Sequence, residues 1–468
     1  MNKIPNEEMA LQKDYIEKVK EINKQSMQKP LAMIVTYGCQ QNEADSDKMR
    51  GLLCEMGFGI TEDRSKADVI LFNTFAVREH AELKVFGNIG ALKHQKAKRP
   101  DMIIGLCGCM VQQQHRTDEI LKKYPHIDLI FGTHTFYKLP EMLYSVMLER
   151  KKAIEINDAD TAIFEDIPVK RKSSFQAWIT VMYGCNNFCS YCIVPYVRGR
   201  EKSREFDKIV EEVSDLVKKG YKEFTLLGQN VNSFGKGNED GRDFADLLKA
   251  LNDIDGDFLI RFMTSHPKDA SKKLIDSIAS CDKVAKQLHL PVQSGSTRIL
   301  KKMNRKYTRE EYIELAKYAK NKIPGLTMTS DIIVGFPGET EEDFEDTLSL
   351  VKEIEFDGLF TFMYSKRKGT PASLMDEQVP KKDKQERLER LMELQNEISK
   401  SRNEKLVGTR ARILVEEISK TNKDYLTGRT NGGRLVHFPG DPSLIGQFVE
   451  VTITEARAWS IIGELIEK

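Results

Sequence analysis

Three cysteines, Cys185, Cys189 and Cys192, fall within the run YGCNNFCSYC at residues 183–192. A closed structural zinc site takes four ligands, normally in two pairs, and no further Cys or His stands close in sequence to complete one. Three thiolates suit a cubane iron–sulfur cluster better, because one iron then keeps an open position for a second molecule. The tripeptide Tyr-Gly-Cys recurs at Tyr37-Gly38-Cys39, and two more thiols, Cys107 and Cys109, stand in GLCGCM. One chain therefore carries the material for two thiol sites.

The elements around these residues follow from the apolar pattern. LAMIVTYGC from Leu31, ADVILFNTFAV (67–77) and DMIIGLCGCM (101–110) are short apolar runs separated by helical stretches, which predicts a parallel sheet covered by helices. Ligands of such sheets gather at the carboxyl ends of strands, where Cys39, Phe75 and Cys109 fall. A charge-rich stretch at 150–175 predicts a linker. Beyond it AWITVMYGC, EFTLLGQNV, FLIRFMTSHP, KQLHLPVQSG, LTMTSDIIVGFPGE and GLFTFMYSKRKGT predict six strands of a complete or partial α/β barrel with its chemistry at the strand ends. Leu388, Leu391 and Leu394 predict an amphipathic helix from Pro380 to about Lys405. The tail from Val407, with its glycine turns, predicts a small β-barrel with Trp459 in its core.

At 468 residues the chain exceeds one ordinary core, so several domains are expected. With 72 basic and 71 acidic residues, no global field draws it to nucleic acid or an anionic membrane, and an anionic partner must be held by local patches. No apolar run approaches a membrane span and no signal-peptide pattern opens the chain, so a cytoplasmic protein without a membrane partner is expected. Its eight cysteines should then be reduced, which favours metal binding or catalysis over disulfides. Cys54 is expected as an ordinary buried thiol and Cys281 as a core or surface one. The eight histidines show no metal-ligand spacing, and His266 and His289 are expected to make structural hydrogen bonds.

The triplet, with Phe188, Ser190 and Tyr191 between its cysteines, resembles the signature of the radical S-adenosylmethionine (SAM) superfamily. The resemblance implies a [4Fe–4S] cluster on Cys185, Cys189 and Cys192 whose open iron binds SAM. It also implies contacts to SAM from Tyr191, from Gly228 and Gln229 in LLGQN, and from Gln293 and Ser294 in PVQSGS. Over nearly the whole chain YGCQQNEADS, NTFAVRE, KVFGNIGALK, CGCMVQ, YGCNNFCSYCIVPYVRGRE, LLGQNVNSFG, LHLPVQSGS, MNRKYTREEY and TSDIIVGFPGET resemble, in order, the tRNA methylthiotransferases. That family adds a methylthio group to carbon 2 of N6-isopentenyladenosine beside the anticodon.

The implied fold is α/β: an N-terminal extension (1–29), a parallel-sheet α/β domain (30–150), a linker (151–172), a radical SAM partial (β/α) barrel with its C-terminal helix (173–404), and a small β-barrel, the TRAM domain (405–468). The family pattern also implies an auxiliary cluster held by Cys39, position 75 and Cys109. Here position 75 is Phe75, which cannot ligate iron. Cys107 is the nearest substitute, but only if the strand end bends, since it shares a strand face with Cys109. Two alternatives follow: methylthiolation of another modified adenosine or a protein side chain, or a tRNA-binding iron–sulfur protein whose sulfur insertion is impaired.

For the RNA, VRGREKSR sets Arg198, Arg200, Lys202 and Arg204 at every second position, and KKMNRKYTR adds Lys306 beside Tyr307. Both runs are expected to track phosphates of an anticodon loop, whose bases unstack more cheaply than those of a duplex. Tyr425, Arg429, Arg434, His437 and Trp459 would grip RNA from the small barrel. A low-potential donor such as flavodoxin or ferredoxin and a monomeric state complete the expectation.

Overall fold

The computed structural model describes residues 5–76, 79–156, 163 and 165–466, so Val77 and Arg78 of NTFAVRE and part of the expected linker lie outside the described residues. The chain divides into two compact units. Residues 1–173, 178–186 and 193–204 form the first, and residues 174–177, 187–192 and 205–468 form the second.

The first unit opens with helix α1 (Asn6–Lys24) and is built on β1 (Leu31–Thr36), β2 (Gly59–Ile60), β3 (Val69–Thr74), β4 (Ile103–Gly108), β5 (Leu129–Phe131) and β6 (Ala153–Glu155). These form one sheet in the order β2-β1-β3-β4-β5-β6, and every neighbouring pair is parallel. β3 and β4 are buried along their whole length, as parallel strands covered on both faces must be, which explains their apolar sequences, relieved in β3 only by Asn73 and Thr74 at its end. Alternate side chains feed two cores. Ile34, Leu71, Ile103 and Cys107 pack toward Met49, Leu52 and Leu53 of helix α2 (Gln40–Glu55), and Ile70, Phe72, Ile104 and Leu106 pack toward Val85, Ile89 and Ile120 on the other face. The chain leaves β1 to make the edge strand β2, then crosses back to β3. In sheets of this order, ligands bind at such a reversal, beyond the carboxyl ends of the two strands, here β1 and β3.

β7 (Gln176–Thr180) begins in the second unit and ends in the first, and β8 (Met182–Tyr183) pairs antiparallel with β9 (Lys202–Ser203) in the first. This ribbon pins both ends of the loop that bears the cysteine triplet.

In the second unit β10 (Glu223–Leu227) runs parallel to β11 (Leu259–Phe262), and β12 (Gln287–His289), β13 (Thr327–Val334) and β14 (Gly358–Met363) run parallel in that order. With β7 these are the six expected strands of an α/β partial barrel. Apart from the helix Phe206–Lys218, the longer helices between them start on polar caps: Asp243, Ser271, Ser296, Thr308 and Thr340 each accept the amide three residues on. Such a cap stabilises a helix start by about 1 kcal/mol.

The helix Lys381–Glu404 differs from the leucine stripe expected of it. Its buried face is Arg387, Leu391, Gln395, Ser399 and Asn403, while Leu388 and Leu394 are only half-buried. Gln395 donates to the Phe356 carbonyl at 2.8 Å, Ser399 to Asp357 at 3.1 Å and Asn403 to Arg457 at 2.8 Å. The face is held by side chain to carbonyl bonds.

The tail closes a barrel in the order β15-β16-β17-β19-β18, made of β15 (Arg410–Ile418), β16 (Tyr425–Thr430), β17 (Leu435–Pro439), β18 (Phe448–Ala456) and β19 (Ile461–Leu465). Its core is Ile413, Val415, Leu426, Val436, Phe438, Val451, Ile453 and Ile461. Trp459, expected there, is 64% exposed in the turn between β18 and β19. These side chains, Phe438 included, fill so narrow a barrel without it. Among the described residues no helix is long and apolar enough to cross a membrane.

Candidate active site

In the first unit Cys39, Phe75 and Cys109 each follow a strand of the sheet. Gly38 lets the chain leave β1 with φ +153°, where a Cβ would lie 2.5 Å from Asn42 Oδ1 and 3.1 Å from the Phe75 Cβ. Cys39 then caps α2, its thiol 3.3 Å from Asn42 Oδ1. Gly108 turns the chain out of β4 at φ +95°, where a Cβ would meet the Thr74 carbonyl at 2.4 Å. Cys109 follows, buried, and receives a bond from Arg198 Nε at 3.2 Å, while the other arm of that guanidinium holds Asp45 at 3.0 Å. Burial pushes the Cys109 thiol up, and the Arg198 charge opposes it. Desolvation, with Arg198 adding to it, lowers nearby His134 to about 4 and keeps it neutral.

Phe75 packs half-buried against Ala76, Cys109, Ile193 and Val197. The first unit thus offers two thiols and a phenyl ring, which does not fit a cluster held by three thiolates. Cys107 does not repair the set. It points into the α2 core, 3.8 Å from Met49 Sδ and 3.5 Å from the Phe72 carbonyl, and burial holds its thiol far above the ordinary range. Its alternation with Leu106 in a straight, fully buried strand fixes that direction.

The triplet loop is tied down at the backbone. Gly184 has φ +67°, and a Cβ there would meet the Arg200 carbonyl at 2.0 Å, so Cys185 leaves β8 through a turn open only to glycine. The Cys185 amide donates to Gly199 at 3.1 Å. In the second unit Cys192 N donates to the Cys189 carbonyl at 2.9 Å, Ser190 N to Met303 at 3.0 Å, and Asn304 Nδ2 to the Phe188 carbonyl at 2.9 Å. Tyr191 lies edge-on to Phe336 with ring centroids 6.5 Å apart. Buried Arg305 donates to Cys189 Sγ at 3.4 Å, to Tyr307 Oη at 2.8 Å and to the Pro291 carbonyl at 2.6 Å.

The strand ends of this unit hold polar groups that nothing satisfies. Among the described residues, Asn230 Oδ1, both amide atoms of Asn232, and Ser265 Oγ are buried without a hydrogen-bond partner, just beyond β10 and β11. Burying such groups unpaired is unfavourable by about 1–3 kcal/mol each, so their persistence points to a polar ligand. Phe188 (φ +46°), Thr264 (φ +63°), Gln293 (φ +74°) and Asn304 (φ +58°) adopt the left-handed conformation that L side chains resist. Strain of this kind collects at binding sites. Thr264 Oγ1 donates to the Gly228 carbonyl at 2.6 Å, and Gln293 bridges Ile332 beside buried Ser294.

In the second unit a buried cation donating to the Cys189 sulfur fits a thiolate ligand of an iron–sulfur cluster, and the orphaned polar atoms fit the polar groups of SAM. Among the described residues no three His, Cys, Asp or Glu side chains stand close enough to share a single ion. Thiolates that serve different irons of a cubane stand further apart than that.

Three of the expected RNA contacts are corrected, Arg434 among them, since its guanidinium is held by Asp357, by Thr327 Oγ1 at 2.6 Å and by Asn403 Oδ1 at 3.0 Å. Arg198 is buried on Asp45 and Cys109, and Arg204 is buried with its guanidinium on Glu165 at 2.7 Å and on the Thr180 carbonyl at 2.8 Å. Neither can reach a phosphate. Arg200 and Lys306 are exposed, whereas Tyr307, expected within a surface run, is buried. Asn230, Asn232, Ser265 and Arg305 escaped the sequence reading. The asparagines were visible as polar residues closing an apolar strand, but nothing marked Arg305 as buried among its exposed neighbours.

Residues 179–351 match the radical SAM superfamily, residues 32–132 match the uncharacterized protein family UPF0004, and residues 404–466 match the TRAM domain. Among solved structures, the radical SAM methyltransferase TsrM from Kitasatospora setae is similar at a TM-score of 0.53 and 14% identity, over 74% of this chain and 75% of that one. That likeness concerns the fold. Proteins named tRNA-2-methylthio-N(6)-dimethylallyladenosine synthase are similar throughout. The one from Acetivibrio thermocellus is 52% identical over 98% of this chain and 97% of its own, and that from Clostridium beijerinckii 55% over 94% and 97%. The relative from Alkaliphilus oremlandii is 54% identical over 99% and 98%. At that identity across essentially the full length of both partners, this chain belongs to the tRNA-2-methylthio-N(6)-dimethylallyladenosine synthase family of radical SAM proteins.

Proposed function

We propose that this protein is a radical SAM transferase that places a methylthio group on carbon 2 of N6-dimethylallyladenosine beside the anticodon of tRNA. The observation that carries this is the full-length similarity to relatives of that name, joined to a Cys185–Cys189–Cys192 loop. The same names favour isopentenylated adenosine over another adenosine or a protein side chain as substrate.

Cys185, Cys189 and Cys192 would hold a [4Fe–4S] cluster. With SAM bound, that centre supplies reductive cleavage of the sulfonium and, through it, abstraction of a hydrogen atom. The chain's own residues prepare that event. Asn230, Asn232 and Ser265 offer unpaired donors and acceptors to the polar groups of SAM, beside Gly228, Gln229, Gln293 and Ser294. Tyr191 and Phe336 form an aromatic wall next to the cluster loop, which keeps water and stray hydrogen donors away. Arg200 and Lys306, exposed, and the small barrel with Tyr425, Arg429 and exposed Trp459 are suited to the phosphates and unstacked bases of an anticodon loop. A target base must be unstacked for its carbon 2 to be reached. A flavodoxin or ferredoxin would supply the electron to a monomer in the cytoplasm.

The test is nucleoside analysis by mass spectrometry of tRNA from cells that make dimethylallyladenosine without its methylthio derivative, after incubation with the reconstituted protein, dithionite, inorganic sulfide as the sulfur source, and SAM as the source of both the methyl group and the radical. A methylthio product confined to dimethylallyladenosine is expected. Product on threonylcarbamoyladenosine instead, or on ribosomal protein, would overturn the assignment.

A further inference from the structure

Arg305 is a cation where a cation is hard to keep. It is 7% exposed, and its three hydrogen bonds go to neutral groups, the Tyr307 hydroxyl and the Pro291 carbonyl, and to the Cys189 sulfur. Among the described residues no carboxylate lies within ion-pair distance of it. The other buried arginines of this unit are paired: Arg261 lies 2.6 Å from Glu223 and Arg387 lies 2.8 Å from Glu339. An unpaired buried charge is unfavourable by several kcal/mol, so a guanidinium persists there only where an anion belongs.

The surroundings fix its aim. Tyr307, itself buried, accepts from Arg305 Nε and donates to the Val292 carbonyl at 2.9 Å. The planar fork is thereby held at both ends, with Nη1 directed at Cys189. A flexible lysine would not be held in this way.

We propose that Arg305 is the counter-ion of the cysteine loop and raises the reduction potential of the cluster that Cys189 helps to hold, an inference that rests on the radical SAM reading above. A thiolate-bound cluster is anionic and gains one more negative charge when it accepts an electron. A fixed donor on one of its sulfurs favours the more negative state, because hydrogen bonds to the sulfurs are among the factors that set cluster potentials. Arg305 touches neither substrate nor SAM in this role. It is a positioning residue that makes the one-electron reduction easier.

The experiment compares the full-length reconstituted protein with Arg305→Gln, Arg305→Lys and Tyr307→Phe by iron content and by redox titration followed with electron paramagnetic resonance, without SAM or tRNA. Arg305→Gln should keep its iron and show a tenfold lower reduced-to-oxidised ratio at fixed poise, about 59 mV for one electron. Arg305→Lys should recover part of the shift, and Tyr307→Phe, which keeps the charge but loses one of the holds on it, should fall between Arg305→Gln and the parent. If Arg305→Gln fails to keep iron, retention by Arg305→Lys supports the counter-ion, and equal loss by both overturns it. An unchanged potential in iron-loaded Arg305→Gln overturns it as well. A parent protein that takes up no iron would overturn the radical SAM reading instead.

Discussion

A thiol in place of the Phe75 ring should let the first unit take up iron. Cys39 and Cys109 already stand beyond β1 and β4, and Phe75 stands beyond β3, packed beside Cys109 and close to the Gly38 backbone. Phe75→Cys supplies the missing third thiolate. Removing a fully buried Phe side chain costs about 3–5 kcal/mol, so exchanging a half-buried ring for a shorter side chain should cost about 1–2 kcal/mol, within the tolerance of an ordinary domain. The assay is iron and acid-labile sulfide per chain after anaerobic reconstitution, repeated with Cys185, Cys189 and Cys192 changed to Ala so that only the first unit is counted. About four irons are expected in the parent and about none in the triple-Ala protein, against about eight for Phe75→Cys alone and about four for Phe75→Cys in the triple-Ala background. Four irons retained by the triple-Ala protein with Phe75 in place would refute the reasoning.

Asn232→Leu should weaken SAM binding roughly tenfold by calorimetry while leaving the melting temperature unchanged or higher, because it removes a buried amide that has no partner in the free protein. Trp459→Ala should leave the fold intact and weaken tRNA binding by about 1–3 kcal/mol in a filter or fluorescence titration, the range for loss of one stacked base; unchanged affinity would remove Trp459 from the RNA surface. Burial alone would raise the Asp343 carboxyl, but bonds from Arg298, Ser296 and Thr340 carry it below the ordinary carboxylate range. Its contribution to stability is therefore complete above about pH 4 and lost as the pH falls through the lowered value, so the melting temperature should drop on acidification and drop less steeply in Asp343→Asn.

Most of the architecture was legible because its signal is local. Largely apolar strands such as β3 and β4, polar helix caps and the glycine turns of the tail each announce an element without reference to distant residues. The triplet loop was legible for the same reason. What stayed hidden depends on partners far away in sequence. Arg198 and Arg204 read as a surface track because the acids that neutralise them, Asp45 and Glu165, lie 153 and 39 positions away. Arg305 was hidden by exposed Lys306, since a run of basic residues does not say which member turns inward. Trp459 went the other way, because size and hydrophobicity predict burial only where a core has room for an indole.

The inward face of the helix Lys381–Glu404 bears on how its mate is chosen. An oily seam can ratchet by one turn and lose little, since one aliphatic contact replaces another. A row of two amides and a hydroxyl, each donating to particular carbonyls, forfeits those bonds at once if it slips, so this helix works as a vernier with one engaged position. Substitutions that keep shape but erase polarity along it, such as Gln395→Leu or Asn403→Leu, should loosen the register of the small β-barrel's attachment before they lower the content of helix.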